Sequence, residues 1–125
     1  LNPGERVLSS SGDGGFLFTA TELETAVRMG AKFVHVIWNS QSYDMVAFQE
    51  DAHYGETAGV QLGDYDVVKF AEAFGCVGYD VKAADDLPHM LELAFKADVP
   101  VLINVPVDYS KNSRLMQDVI QTYLN

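Results

Sequence analysis

Positive charge is scarce in this chain: 8 Lys and Arg against 18 Asp and Glu in 125 residues leave a formal net charge of −10. With no basic stripe to neutralise phosphates, nucleic acid and anionic membrane surfaces are not expected partners. A phosphorylated ligand would have to be held locally, by backbone amides or through a metal ion. The single cysteine, Cys76, rules out an internal disulfide and gives no sign of an oxidising compartment. It reads as a buried small hydrophobe. No apolar run approaches the roughly 20 residues of a membrane span, and no signal peptide opens the chain. The dinucleotide fingerprint G-x-G-x-x-G is also missing, because Leu17 stands where a glycine should follow Gly12 and Gly14. His53 and His89 have no zinc-like spacing and read as surface residues. The opening "LNPGERV" starts at Leu1 rather than Met, so the expectation is a cytoplasmic protein of which this is an internal piece.

What is present is enough apolar material for a core, 48% of the residues, at a length suited to one domain spanning 1–125. Short apolar runs alternate with longer helical stretches, the pattern of parallel βαβ units. "RVLSSSG" (Arg6 to Gly12) reads as a first strand, and "FLFTATELETAVRMG" as a helix stopped by Gly30. "KFVHVIWN" (Lys32 to Asn39) is a second strand, almost continuously apolar, as strands covered on both faces are. Residues 40–64 show no sustained period and read as a long loop with a short helix around Met45 to Gln49. A helix over Asp64–Gly75 follows, then a strand "VGYDV". Next comes a helix with Asp85, Asp86 and Pro88 at its start. A fourth strand, "VPVLINVPVD", ends at Pro106, and "SRLMQDVIQTYL" makes a last helix. The expected fold is a three-layer α/β sheet with helices on both faces, truncated at its N-terminal side.

In such sheets ligands bind beyond the carboxyl ends of the strands. Two of these ends carry polar residues, Gly12-Asp13-Gly14-Gly15 and Asn39-Ser40-Gln41. If the first two strands are neighbours, Asp13 and Asn39 meet. The glycines let backbone approach a ligand, and the helix opening at Gly14 and Gly15 favours an anion. An aspartate in that turn would repel phosphate unless a hard divalent cation lay between them. Magnesium suits the oxygens on offer: the Asp13 carboxylate, the Asn39 amide and a loop carbonyl near Gln41. Plainer readings stand beside these, with Asp13 as a helix cap, Asn39 as a turn residue and His35 as a satisfied core histidine.

The Gly12-Asp13-Gly14 and Asn39 pair resembles the thiamine diphosphate signature. "SGDGGFLFTATELETAVR", "VHVIWN", "YDMVAFQ" and "VPVDYS" extend the likeness to the catabolic, flavin-independent acetolactate synthases. That resemblance implies part of the C-terminal cofactor domain of a three-domain enzyme. The enzyme would join two pyruvate molecules into 2-acetolactate with loss of CO2, using thiamine diphosphate and Mg2+ without FAD. It implies Asp13, Asn39 and the Gln41 carbonyl as metal ligands, with Gly12, Gly14, Gly15 and Tyr43 around the cofactor. Met45 would lie beside the bent cofactor and Gln49 where relatives select the second substrate. Met45 and Phe48 as plain loop packing is the competing reading. The activating glutamate would lie in an N-terminal domain of a homodimeric or tetrameric partner, so the isolated chain is expected to be inactive. Two departures are visible: Ser40 follows Asn39 where many relatives have a second asparagine, and Asp44 follows Tyr43 where glycine is common. Another thiamine diphosphate 2-oxo acid decarboxylase or oxidase remains an alternative. So does a non-catalytic phosphate-binding module.

Overall fold

The computed structural model describes residues 4–112. Four strands form one parallel sheet in the order β1-β2-β4-β3, where β1 is Leu8–Gly12, β2 Val34–Asn39, β3 Val77–Asp80 and β4 Val101–Pro106. The central pair is the most apolar stretch of the chain. Along β4, Val101, Leu102 and Ile103 are fully buried, and Ile37 of β2 is equally inaccessible. Side chains alternate between faces with the period of two that a pleated strand imposes. Leu102 and Ile37 therefore pack with Phe16, Leu23, Val67 and Ala71 from three helices on one face. These helices are α1 (Asp13–Thr19), α2 (Glu22–Arg28) and α4 (Val67–Ala73). Val34, Val36, Val101 and Ile103 point the other way, against Ala94, Met90 and Leu91 of α5 (Leu87–Ala94). The chain is thus three-layered, as its alternating pattern implies.

Several boundaries differ from the sequence expectation. β1 starts at Leu8, leaving Arg6 and Val7 outside it. The stretch read as one helix breaks at Ala20–Thr21 into α1 and α2, around the β-branched Thr19 and Thr21, which favour helix poorly. Gly30 does follow the end of α2, with φ +64. The region read as mostly loop contains an 11-residue helix, α3 (Asp44–Tyr54). No residue of α3 is buried, so it has no core stripe for a periodicity reading to find. α4 begins after Asp66, whose side chain caps it by accepting from the Lys69 amide at 2.9 Å. Asp85 and Asp86 lie in a single 3-10 turn that precedes α5 rather than in its own first turn. The helix expected over "SRLMQDVIQTYL" lies outside the described residues. Among those described, no helix is long and apolar enough to cross a membrane.

Candidate functional site

Polar residues converge where all four strands end. Gly12 closes β1 and Asp13 opens α1, while Asn39, Asp80 and Pro106 are the last residues of β2, β3 and β4. Because β1 and β2 pair directly, with Gly12 opposite Trp38, the two motif halves become neighbours.

Asp13 is 3% exposed, a carboxylate inside the protein to which no salt bridge is made among the described residues. It is held by three backbone amides: Gly14 donates to Oδ1 at 2.8 Å, and Ser40 and Gln41 donate to Oδ2 at 3.1 and 2.6 Å. Two of these come from the loop after β2. Asp13 therefore ties that loop to the start of α1, which the plain helix-cap reading does not describe. The Gln41 amide is shared, since it also donates to Asn39 Oδ1 at 3.1 Å. The carboxylate and the amide oxygen thus sit within two hydrogen-bond lengths of each other. Asn39 closes a local turn as well, in the way short polar side chains do.

Gln41 adopts a left-handed φ of +60, unusual for a residue with a Cβ and costing about 1–2 kcal/mol. Its surroundings hold it there. Its amide has the two acceptors just named, its carbonyl accepts from the Leu62 amide at 2.8 Å, and its Nε2 donates to Asp64 at 2.9 Å. The Tyr43 amide donates to the Val60 carbonyl at 2.8 Å, so the segment around buried Val60 clamps the loop from outside. The Ser40 hydroxyl is hydrogen-bonded to the Asp44 carboxylate at the start of α3.

Two cavities flank this knot, and Ser40 lines both. The polar one, about 500 Å3, is bounded by Asn39, Gln41, Asp64, Tyr65, Asp80 and Asn104. The apolar one, about 590 Å3, runs past Gly12, Gly14, Gly15, Trp38, Tyr43, Met45 and Phe48. A Cβ on Gly14 would come within 2.5 Å of the Tyr43 ring, so glycine is what lets the ring lie against the turn. Gln49 is exposed on α3 and is not among the residues lining the apolar cavity. Of the residues singled out from sequence, the structure brings Gly12 to Gly15, Asn39, Gln41, Tyr43 and Met45 to this one end of the sheet, and leaves Gln49 aside.

The donor set suits a hard cation and a phosphate. Oδ1 of Asp13, Oδ1 of Asn39 and the Gln41 carbonyl each accept one hydrogen bond and keep a second lone pair. All three are oxygens, the ligand type magnesium takes. Tyr65 lines the polar cavity, and its hydroxyl is buried with no hydrogen-bond partner among the described residues. Burial, and then the nearby Asp13 charge, push its pKa up to about 12. The Gly14 amide is already engaged by Asp13, whereas Gly15 stands exposed in the first turn of α1.

Sequence reading missed Asn104, Asp80 and Tyr65. Asn104 donates from Nδ2 to Asp80 at 2.7 Å and accepts from Asn39 Nδ2 at 3.0 Å. The one available signal was an asparagine inside the otherwise apolar "VLINV". His35 is a satisfied histidine: its ring nitrogens bond the hydroxyls of Ser9 and Ser11 at 2.8 and 2.9 Å, and the ring stacks on Phe16. His53 and His89 are exposed and Cys76 is buried.

Comparison with known proteins bears on this geometry. Acetolactate synthase of Bacillus subtilis is 52% identical over 118 residues, covering 94% of this chain and 21% of that protein. Catabolic acetolactate synthase of Raoultella terrigena is 46% identical over 93% of this chain and 21% of its own length. The chain therefore spans about a fifth of the relatives it matches. Among solved structures, the thiamine diphosphate-dependent 4-hydroxybenzoylformate decarboxylase of Rhodococcus jostii superposes with a TM-score of 0.77 at 30% identity. That match covers 86% of this chain and 20% of the other. The family model described as "Thiamine pyrophosphate enzyme, C-terminal TPP binding domain" matches residues 1–105, and the chain belongs to that family.

Proposed function

We propose that this chain forms the metal- and diphosphate-binding half of an acetolactate synthase active site, within a longer enzyme that condenses two pyruvate molecules to 2-acetolactate and CO2. The observation that carries the reading is the shared Gln41 amide, which donates to Asp13 Oδ2 at 2.6 Å and to Asn39 Oδ1 at 3.1 Å and so holds the two side chains side by side at the strand ends. The choice of acetolactate synthase over other thiamine diphosphate enzymes rests on the 52% and 46% identities to proteins of that name.

Asp13 Oδ1, Asn39 Oδ1 and the Gln41 carbonyl would hold Mg2+, and the cofactor's phosphates and water would fill the remaining positions. Such a metal would offset the repulsion between a diphosphate and buried Asp13 in a chain of net charge −10. The Gly15 amide, in the first turn of α1, would donate to a phosphate oxygen. Tyr43 and Met45 would wall the apolar cavity and keep water from the reacting end of the cofactor. When bound, thiamine diphosphate supplies the electron sink for decarboxylation and carbon–carbon bond formation. Glu22 and Glu24 stand exposed on α2, with Glu24 paired to Arg28, so the glutamate that activates the cofactor would come from another domain of a partner subunit in a homo-oligomer. No FAD is expected to take part.

The test is product analysis on the full-length protein that carries this chain, given pyruvate, thiamine diphosphate and Mg2+. Acetolactate is the expected product. Acetaldehyde would instead mark a decarboxylase, and acetyl phosphate an oxidase. The 125-residue chain by itself is expected to consume pyruvate no faster than free cofactor does.

A further inference from the structure

An asparagine amide can present either its oxygen or its NH2 group to a site, in nearly the same space, and only the oxygen binds a cation. Something must decide which end of Asn39 faces the metal position. We infer that Asp80 and Asn104 are positioning residues that fix this choice; the inference rests on the metal reading above.

Hydrogen-bond polarity runs one way along the three side chains. An ionised carboxylate only accepts, so Asp80 forces Asn104 to turn its NH2 group toward it, at 2.7 Å. The Asn104 oxygen then faces the other way, where it accepts from Asn39 Nδ2 at 3.0 Å. That leaves Asn39 Oδ1 pointing at the Gln41 amide, whose N–H donates to it and favours the same end. Lys82 holds the far oxygen of Asp80 at 2.7 Å, anchoring the start of the relay. The three residues come from β3, β4 and β2, and the pairing of Asp80 with Asn104 in register brings the first two side by side. Asn104 is 9% exposed and, with Asp13, makes up the buried polar side chains among the described residues. A buried polar group in an apolar strand is costly unless every bond is made, and here each bond has a direction. Partners of metal ligands typically tune affinity in this way.

A double-mutant cycle in the full-length protein separates orientation from charge. Binding of Mn2+ in the presence of thiamine diphosphate is read by electron paramagnetic resonance, with no turnover required. Asp80→Ala frees Asn104 to flip and is expected to weaken Mn2+ about tenfold. In an Asn39→Asp background both ends of residue 39 are oxygens, so orientation no longer matters. There Asp80→Ala is expected to leave Mn2+ affinity within about twofold, or to improve it. Loss of a negative charge alone would weaken binding in both backgrounds. Should Asp80→Ala not fold, Asp80→Asn keeps the shape while adding a donor, and an intermediate loss of about threefold is expected in the same cycle. Equal weakening in both backgrounds, or no weakening in either, overturns the inference. Asn39→Ala distinguishes the two levels: if it leaves Mn2+ affinity unchanged, the metal site itself is wrong and the relay falls with it. If Asn39→Ala weakens Mn2+ but Asp80→Ala does not, the relay alone is wrong.

Discussion

The sheet interior and the rim above it treat apolar side chains in opposite ways. Ile37, Leu102 and Ile103 are fully buried between two helical layers, while α3 buries nothing and leaves Met45 57%, Val46 44% and Tyr54 72% exposed. Phe18, on the neighbouring α1, is 77% exposed, its ring stacked on that of Tyr43. The interior holds itself together, and from it the ends of β1 and β2 project the Asp13–Asn39 knot. The rim is an exposed apolar surface, and it borders the cavity proposed for the cofactor. Under the proposed function, such a rim is where the rest of the enzyme would sit. Stability and function should therefore separate along this line, with interior changes unfolding the chain and rim changes sparing its fold while disabling the whole enzyme.

The largest effect is expected where the two regions join. Asp13→Ala removes the acceptor for three backbone amides, two of them reaching across from the β2 loop. The Gln41 amide keeps Asn39 Oδ1, so the Gly14 and Ser40 amides are the ones left without an acceptor; at about 1–3 kcal/mol for each, the loss in urea denaturation should be about 2–6 kcal/mol. A smaller loss would mean that the loop stands without this tie. Gly78→Ala tests the interior alone. A Cβ there would lie 2.6 Å from the Val68 backbone, which cannot swing aside, so α4 must shift off β3. The expected cost is about 1–3 kcal/mol in the same measurement; a neutral result would show this layer to be looser than the rim.

His35 gives the interior a pH signature. Burial lowers its pKa below 6.5, so the unfolded chain takes up the proton at a higher pH than the folded one. Its contribution is therefore complete above pH 6.5 and is lost as pH falls from there toward the folded value. Replacing it with Asn should flatten the stability–pH curve across that window, as followed by thermal melting at stepped pH. An unchanged slope would assign the acid sensitivity to other groups. The smallest stability effect belongs to the rim: Phe18→Ser and Met45→Gln should each change folding free energy by no more than about 0.5 kcal/mol. In the full-length enzyme the same changes should lower kcat/KM for pyruvate or weaken subunit association, read by steady-state kinetics and sedimentation. If both variants behave as wild type in those assays, the rim is not the surface the enzyme uses.

How much of this the sequence disclosed follows the same division. β2 and β4 were legible because strands covered on both faces must be apolar throughout, and "KFVHVIWN" and "VPVLINVPVD" are. The meeting of Asp13 with Asn39 was legible because glycines and a strand-end asparagine mark chain reversals at the same end of adjacent parallel strands. α3 was not, because a helix that touches no core carries no periodic stripe. The break between α1 and α2 was hidden by Ala20 and Leu23, which keep helical spacing across it and are both buried. Nor could Gln41 be foreseen in a left-handed conformation, since a non-glycine residue is held there by partners distant in sequence, Asp13 and Leu62. The Asp80–Asn104–Asn39 relay joins three strands, and no local pattern encodes it.

The central claim is that Asp13 and Asn39 share a divalent ion which carries the cofactor's diphosphate. Anomalous diffraction from crystals of the full-length enzyme grown with Mn2+ and thiamine diphosphate tests this directly. One manganese peak is expected at about 2.1 Å from Asp13 Oδ1, Asn39 Oδ1 and the Gln41 carbonyl, with phosphate oxygens on its open side. A peak bound elsewhere, or a diphosphate resting on the protein with no metal between it and Asp13, would contradict it.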